Sequence, residues 1–152
     1  EELMELMKKS GTYYVPTVIA GRSVADSSKI PNYYPEMVAK KAAAIGPIIQ
    51  GTFAKAYKSG VKIAFGTDAG VFGHGKNALE FVLMNEAGMP VLEASLLATV
   101  SAADLLGQSD LIGSIEVGKA ADIIAVPGDP VADVKLMTKV NFVMKDGKVY
   151  KN

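Results

Sequence analysis

Asp68 is the residue whose type and position most clearly suggest chemistry. It lies in the segment Gly66-Thr67-Asp68-Ala69-Gly70, directly after the apolar run 61–66, which predicts a buried strand. In βα folds, active sites are built at the carboxyl ends of such strands, and glycines let a ligand or a metal approach the backbone. The alternative, in which the Asp68 carboxylate only caps the following turn, stays open on these residues alone.

The single histidine and the single arginine of the chain are the next candidates. His74 lies in a glycine-rich loop, where it could contact a substrate or handle a proton, although its spacing favours an exposed loop histidine. Arg22 follows a predicted strand end and could bind a substrate carboxylate through its fork of N–H donors, but a solvated loop arginine is the favoured alternative. The tyrosine pairs 13–14 and 33–34 could line a pocket or pack in a core.

Composition excludes several functional classes. The chain has 152 residues with 16 basic and 16 acidic side chains, so no basic surplus favours nucleic acid or an anionic membrane surface. Cysteine is absent, which excludes disulfides and thiolate metal sites and is compatible with the expected cytoplasmic location. No phosphate-binding glycine motif and no GxSxG nucleophile elbow occurs. One aspartate with one histidine does not make a zinc site, which uses three or four protein ligands.

Apolar periodicity and turn residues predict an α/β chain. Predicted helices cover residues 1–9, 36–59, 77–88, 90–100 and 101–107, and predicted strands cover 12–19, 61–66, 121–126, 140–144 and 148–150. Residues 20–35 are predicted to be a long loop. Pro47 is expected to kink or restart the second helix, and Asn77 with Glu80 is expected to form an N-cap and its partner. The first part predicts parallel βα units, and the last ~40 residues predict a small β unit with a hairpin at Asp146-Gly147.

The segment Gly60–Ala69 resembles the last barrel strand of the amidohydrolase superfamily, in the branch of imidazolonepropionase-like enzymes and prolidase-like metallo-dipeptidases. Similar segments follow along nearly the whole chain: Met7–Thr17, His74–Gly75 with Asn77 and Glu80, Glu86–Met89, Ala102–Gly107, Ile112–Ile115, Gly118–Ile124, Gly128–Pro130 and Val143–Val149. The resemblance implies that residues 1–110 are the last part of a (β/α)8 TIM barrel, two strands with their helices, and that residues 111–152 are strands of an accessory β-sandwich domain. Because a complete barrel takes about 250 residues, the chain is expected to be the C-terminal segment of such an enzyme.

The resemblance also implies a chemistry for Asp68. In the family, the aspartate at this position binds a divalent metal, expected to be one or two zinc ions, and acts as general base on a metal-activated water that attacks an amide C–N bond. Dipeptides or N-acyl amino acids, as for Xaa-Pro dipeptidases and carboxypeptidases, are the expected small-molecule substrates. A cyclic-amide hydrolase and a non-catalytic binding or structural remnant of the fold are the alternatives. His74 matches a loop position of the family and is expected to contact substrate.

The family's remaining metal ligands have no counterpart in this sequence. They are an HxH pair on the first strand, often a carboxylated lysine, and two later histidines, whereas this chain contains only His74. The isolated polypeptide is therefore expected to hold no tight catalytic metal and to be inactive. Its expected partner is the missing N-terminal part of the enzyme or a further copy in a homo-oligomer, and no nucleic acid or membrane partner is expected.

Overall fold

Helices supply most of the regular structure before the last third of the chain, and the computed structural model describes residues 1–152. The α-helices are α1 Glu2–Ser10, α2 Val18–Ser27, α3 Glu36–Lys58, α4 Leu79–Glu86, α5 Val91–Leu96 and α6 Ala102–Leu105, and a π-helical turn, Leu97–Ser101, joins α5 to α6. The remainder contains β1 Ile123–Ala125, a 3-10 helix Val134–Thr138, β2 Phe142–Lys145 and β3 Lys148–Lys151. None of the helices combines the length and the apolar composition needed to cross a membrane.

Helices α1 and α3 form where apolar periodicity predicts them. Glutamates in the first turn of α1 and lysines in its last turn match the helix dipole, and the helix ends at Gly11, whose φ of 67° is left-handed. Helix α3 continues past Pro47, so the expected restart at that residue is wrong. Contacts with α2 on both sides of the proline, at Gly46 and Ile49, hold α3 together across the lost hydrogen bond.

Helix α2 replaces the end of a predicted strand and much of a predicted loop. Its first three residues are buried, and small residues let it touch α3, since a Cβ on Gly21 would lie 2.5 Å from Cδ1 of Ile49. A helix of this length is marginal alone, so tertiary contacts decide whether it forms. Arg22 therefore lies on a helix and not in the predicted loop over residues 20–35.

The two predicted parallel strands of the first part are reduced to one point of pairing. Tyr14 and Ile63 form an isolated parallel bridge. The N–H of Tyr14 donates to the carbonyl of Lys62 at 2.8 Å, and the N–H of Ala64 donates to the carbonyl of Tyr14 at 3.1 Å. The parallel direction agrees with a βα unit, but the first segment stops at Thr17, whose φ of 44° is left-handed. The assignment to the last part of a barrel stays a prediction.

The hydrophobic core lies among α2, α3, α4, α5 and the segment around Ile63. Its buried members are Val18, Ile19, Phe53, Ile63, Phe81, Leu83, Met84, Met89 and Ala94. Val134 and Met137 of the 3-10 helix pack against this cluster, so the C-terminal residues contact the helical part directly. The division into domains at residues 110 and 111 stays a prediction.

The C-terminal sheet confirms the three predicted strands and their hairpin. Its order is β1-β2-β3, with both pairs antiparallel. Asp146 and Gly147 have φ values of 50° and 75°, as a two-residue hairpin turn requires. The carboxylate of Asp122 accepts hydrogen bonds from the backbone N–H of Asp146 and the ammonium of Lys145, each at 2.8 Å. Asp122 thus holds the hairpin turn in place beside β1. The β-sandwich assignment stays a prediction.

The carboxylate of Glu80 joins α4 to the start of α2. Its Oε1 accepts the N–H of Val18 at 2.9 Å, and its Oε2 accepts the N–H of Ile19 at 2.6 Å. The first N–H groups of a helix have no partner within the helix, so a carboxylate supplies both hydrogen bonds and a favourable charge. The predicted pairing of Asn77 with Glu80 is wrong, because α4 begins at Leu79 without a side-chain cap and Glu80 caps a different helix.

Burial sets the acidity of this carboxyl group. Glu80 is completely buried, and removal from water raises its pKa from an ordinary 4.5 to about 7, although the N–H groups of Ile19 and Val18 act in the opposite direction. The folded chain therefore holds this proton more tightly than the unfolded chain does. The resulting stability is fully present below pH 4.5 and is lost as the pH rises through about 7.

Replacement of Glu80 by glutamine should flatten the pH dependence of folding. We expect the unfolding free energy of the wild type to fall, relative to Glu80→Gln, by roughly 2–3 kcal/mol between pH 4.5 and 8. Urea unfolding followed by circular dichroism at several pH values measures this difference. Glu86→Gln is the matched control, because Glu86 lies exposed on the same helix. Parallel profiles for the wild type and Glu80→Gln would contradict the assignment of this titration to Glu80.

Gly66 allows two chain segments to touch just before Asp68. A Cβ at this position would lie 2.4 Å from Cγ1 of Val15 and 3.8 Å from Cγ2 of Thr17. Because Val15 is β-branched and restricted at χ1, it has few rotamers with which to move away. Gly66 therefore lets the segment before Asp68 pack against the segment that ends at Thr17.

Substitution of Gly66 by alanine should loosen this contact. We expect Gly66→Ala to lower the unfolding free energy by about 1–3 kcal/mol, because the added methyl group overpacks the junction. Gly51→Ala is the control, since its Cβ would meet nothing within 4 Å inside α3, and it should raise stability by about 0.5–1 kcal/mol. Thermal or urea unfolding measures the unfolding free energy of both variants, and equal stability of the two would refute the close contact.

Candidate functional site

Asp68 is exposed, and the half-buried residues 65–67 separate it from Ala64, the last residue of the buried segment. Its φ is 53°, a left-handed conformation that aspartate adopts more readily than most residues. No side-chain hydrogen bond or ion pair engages its carboxylate, so the structure does not use this side chain as a turn cap. The carboxylate is free to contact solvent, a substrate or an ion.

His74 lies in the exposed turn between Gly73 and Gly75. Its ring makes no hydrogen bond or ion pair with any other residue, and no contact joins it to Asp68. The structure therefore leaves its predicted substrate contact a prediction and places it on the loop that follows Asp68.

A cavity of about 530 Å³ lies between α2, α4 and the loop after Asp68. Arg22 and Tyr33 line it, whereas Asp68 and His74 do not. The backbone N–H of Val71, another lining residue, donates to the carbonyl of Asp68 at 3.3 Å. One turn of chain therefore separates the cavity from the candidate catalytic carboxylate.

Arg22 is held in place at the cavity wall by a neighbouring carboxylate. Its Nε donates to Oδ2 of Asp26 at 3.1 Å, and the ammonium of Lys29 donates to Oδ1 of Asp26 at 2.6 Å. The Lys29 ammonium, together with the Arg22 guanidinium, holds the pKa of Asp26 below its usual range, so Asp26 stays ionised at neutral pH. The two terminal nitrogens of Arg22 make no hydrogen bond.

Sequence reasoning missed this cavity because it assigned residues 20–35 to a loop. The signal was present: Val18, Gly21 and Ala25 are small or apolar and recur at helical spacing, and all three are buried in α2. Sequence reasoning also missed the hydrogen bonds of Glu80. Their donors, the N–H groups of Val18 and Ile19, are 62 and 61 positions away in the chain, so no local pattern connects them with Glu80.

A metal centre cannot be assembled from the residues present. No three or more histidine, aspartate or glutamate side chains come together in a group that could hold a metal ion. Asp68 could supply one oxygen ligand, but a catalytic zinc site uses three protein ligands. The donor set of these 152 residues therefore does not fit a complete divalent-metal site.

Comparison with known proteins identifies the family. Residues 2–150 match the model of the amidohydrolase family. Ochratoxinase of Aspergillus niger is 36% identical over 99% of this chain and 32% of its own length. The 5-methylthioadenosine/S-adenosylhomocysteine deaminase of Thermoanaerobacter pseudethanolicus is 32% identical over 81% of this chain and 32% of its own length. The chain thus spans about a third of the length of these relatives.

Solved structures give the same result. A Xaa-Pro dipeptidase with methionine bound in its active site shares 55% identity and a TM-score of 0.94, over 99% of this chain and 37% of that protein. A prolidase complexed with N-methylphosphonate-L-proline shares 26% identity and a TM-score of 0.83, over 98% of this chain and 37% of that protein. Amidohydrolases are hydrolytic enzymes that generally use divalent metal ions. The α/β fold and the match over residues 2–150 together show that this chain belongs to the amidohydrolase family.

Proposed function

We propose that the chain is the C-terminal part of a metal-dependent amidohydrolase that cleaves the C–N bond of dipeptides or N-acyl amino acids. The family match supports hydrolysis, and 55% identity to a Xaa-Pro dipeptidase supports a dipeptide substrate. The observation that carries the proposal is the free, exposed carboxylate of Asp68. It follows a buried segment that packs, through Gly66, against Val15.

Asp68 is the proposed metal ligand and general base. A carboxylate with no partner in its own chain can accept a proton from an attacking water and return it to the leaving nitrogen. A divalent ion, when bound, polarises the substrate carbonyl and makes water more acidic. Because one carboxylate is not a complete ligand set, the other donors must come from outside these 152 residues.

Exposed apolar side chains support a larger assembly as the active species. Leu6 on α1 is 60% exposed, and Met37 and Ile48 on α3 are 73% and 58% exposed. Surfaces of this kind associate with other protein, because water is released when they are covered. The further part of the enzyme, or another copy of the chain, is the proposed partner, and His74 is the proposed substrate contact on the loop after Asp68.

Complementation tests the role of Asp68. The chain is combined with the remaining portion of the similar Xaa-Pro dipeptidase, and hydrolysis of Xaa-Pro dipeptides and N-acyl amino acids is measured with added divalent metal. We expect activity that falls about 100-fold or more in Asp68→Asn, which removes the general base but keeps a residue tolerant of the left-handed backbone. Asp110→Asn is the control, since Asp110 is also exposed. Equal activity of both variants would remove Asp68 from the mechanism.

The metal content of the chain alone is a second prediction. After desalting, we expect essentially no tightly bound zinc and no dipeptide hydrolysis, because only one candidate ligand is placed at the site. Elemental analysis per chain measures this directly. About one zinc ion per chain, lost in Asp68→Asn, would show instead that copies of this chain complete the ligand set among themselves.

A further inference from the structure

The cavity between α2 and α4 has a composition that selects one class of ligand. Its volume of about 530 Å³ falls within the range of small-molecule sites. Seven of its 14 lining residues are hydrophobic, and the others are polar or charged apart from Gly73. Phe72, Leu79 and Val82 provide apolar wall on the side of α4 and the preceding loop. A ligand that fills it needs an apolar part and a polar end.

The charged residues at the cavity carry one more positive than negative charge when Lys29, which pairs with a lining residue, is counted. Arg22 and Lys76 line it together with Asp26 and Glu86, and Lys29 binds Asp26 from outside the lining, which makes three cations against two anions. Lys76 forms no ion pair. Because Asp26 is shared between Arg22 and Lys29, its charge is already matched. The polar end of a ligand should therefore be an anion.

Arg22 has free N–H donors that can bind that anion. Its Nε donates a hydrogen bond to Asp26, while the two terminal nitrogens remain without partners. A guanidinium binds a carboxylate through two parallel N–H donors. The side chain is half exposed at the cavity, so a ligand carboxylate can reach it without displacing another residue.

We infer that this cavity binds the carboxylate of an amino acid or N-acyl amino acid at Arg22, with the ligand's apolar side chain against Phe72 and Leu79. A doubly charged phosphate has no group to occupy the apolar wall, and a cationic ligand would face Arg22 and Lys76. Asp68 does not line the cavity. The choice of ligand rests on the proposed function, because it belongs to the proposed substrate class, whereas the geometry of the site rests on residues other than Asp68.

Titration of the chain with N-acetyl-L-leucine, followed by ¹⁵N–¹H NMR, tests the inference. We expect saturable shifts at residues of α2, α4 and the loop 71–76, and at least about tenfold weaker binding of the neutral N-acetyl-L-leucinamide, since a charge-assisted bidentate pair is lost. Equal affinity for acid and amide, an absence of saturable binding, or shifts confined to other residues would each overturn the inference.

Variants locate the ligand. Arg22→Gln should weaken binding of N-acetyl-L-leucine by about tenfold or more, and Arg22→Lys should keep part of the affinity, because it retains charge but not the fork. Lys41→Gln, an exposed cation on α3, should bind as the wild type does. Asp68→Asn should also leave the affinity unchanged, since that residue lies outside the cavity. Loss of binding in Asp68→Asn with full binding in Arg22→Gln would place the ligand at the strand end and refute the cavity site.

Discussion

The carboxylate of Glu80 is the interaction on which the arrangement of the candidate site depends. It belongs to α4, is completely buried, and satisfies the first two N–H groups of α2. A buried carboxylate is costly unless it is fully hydrogen-bonded, and both of its oxygens here have a partner. Because the two partners are 62 and 61 positions away in the chain, the position of the start of α2 depends on a tertiary contact with α4. The raised pKa of Glu80 is the electrostatic cost of this arrangement.

Once α2 is fixed, the rest of the site follows from close packing. Gly21 brings α2 against α3, and Gly66 brings the segment before Asp68 against Val15. At both contacts a glycine meets a side chain of the other segment, Ile49 or Val15, so an added Cβ would push the two segments apart. Arg22, one turn into α2, consequently faces the loop that follows Asp68 across a cavity. The position of the only arginine is thus a product of two glycine contacts and one buried carboxylate.

The family assignment and the geometry agree on what this chain provides. It matches amidohydrolases over nearly its whole length while spanning about a third of theirs. It contributes one free carboxylate, that of Asp68, and a cavity lined by Arg22 beyond the turn that follows Asp68. A metal centre needs several ligands from different elements, and these residues contain only one candidate. The proposed carboxylate chemistry and the inferred anion binding therefore involve different residues of this chain.

Local chemistry in the sequence determined the elements whose stability is local. Helix α1 with its charged ends and Gly11, the long periodic α3, and the hairpin at Asp146-Gly147 were all predictable, because neighbouring residues supply their caps and turns. The position of Asp68 after a buried segment was also predictable. Only the tertiary structure decided that residues 18–27 are helical, that Glu80 caps that helix and that Arg22 lines a cavity. The reason is physical: a ten-residue helix is only marginally stable without tertiary contacts, so the helical spacing of its apolar residues does not by itself decide that it forms. A hydrogen bond across 62 residues leaves no pattern in either segment.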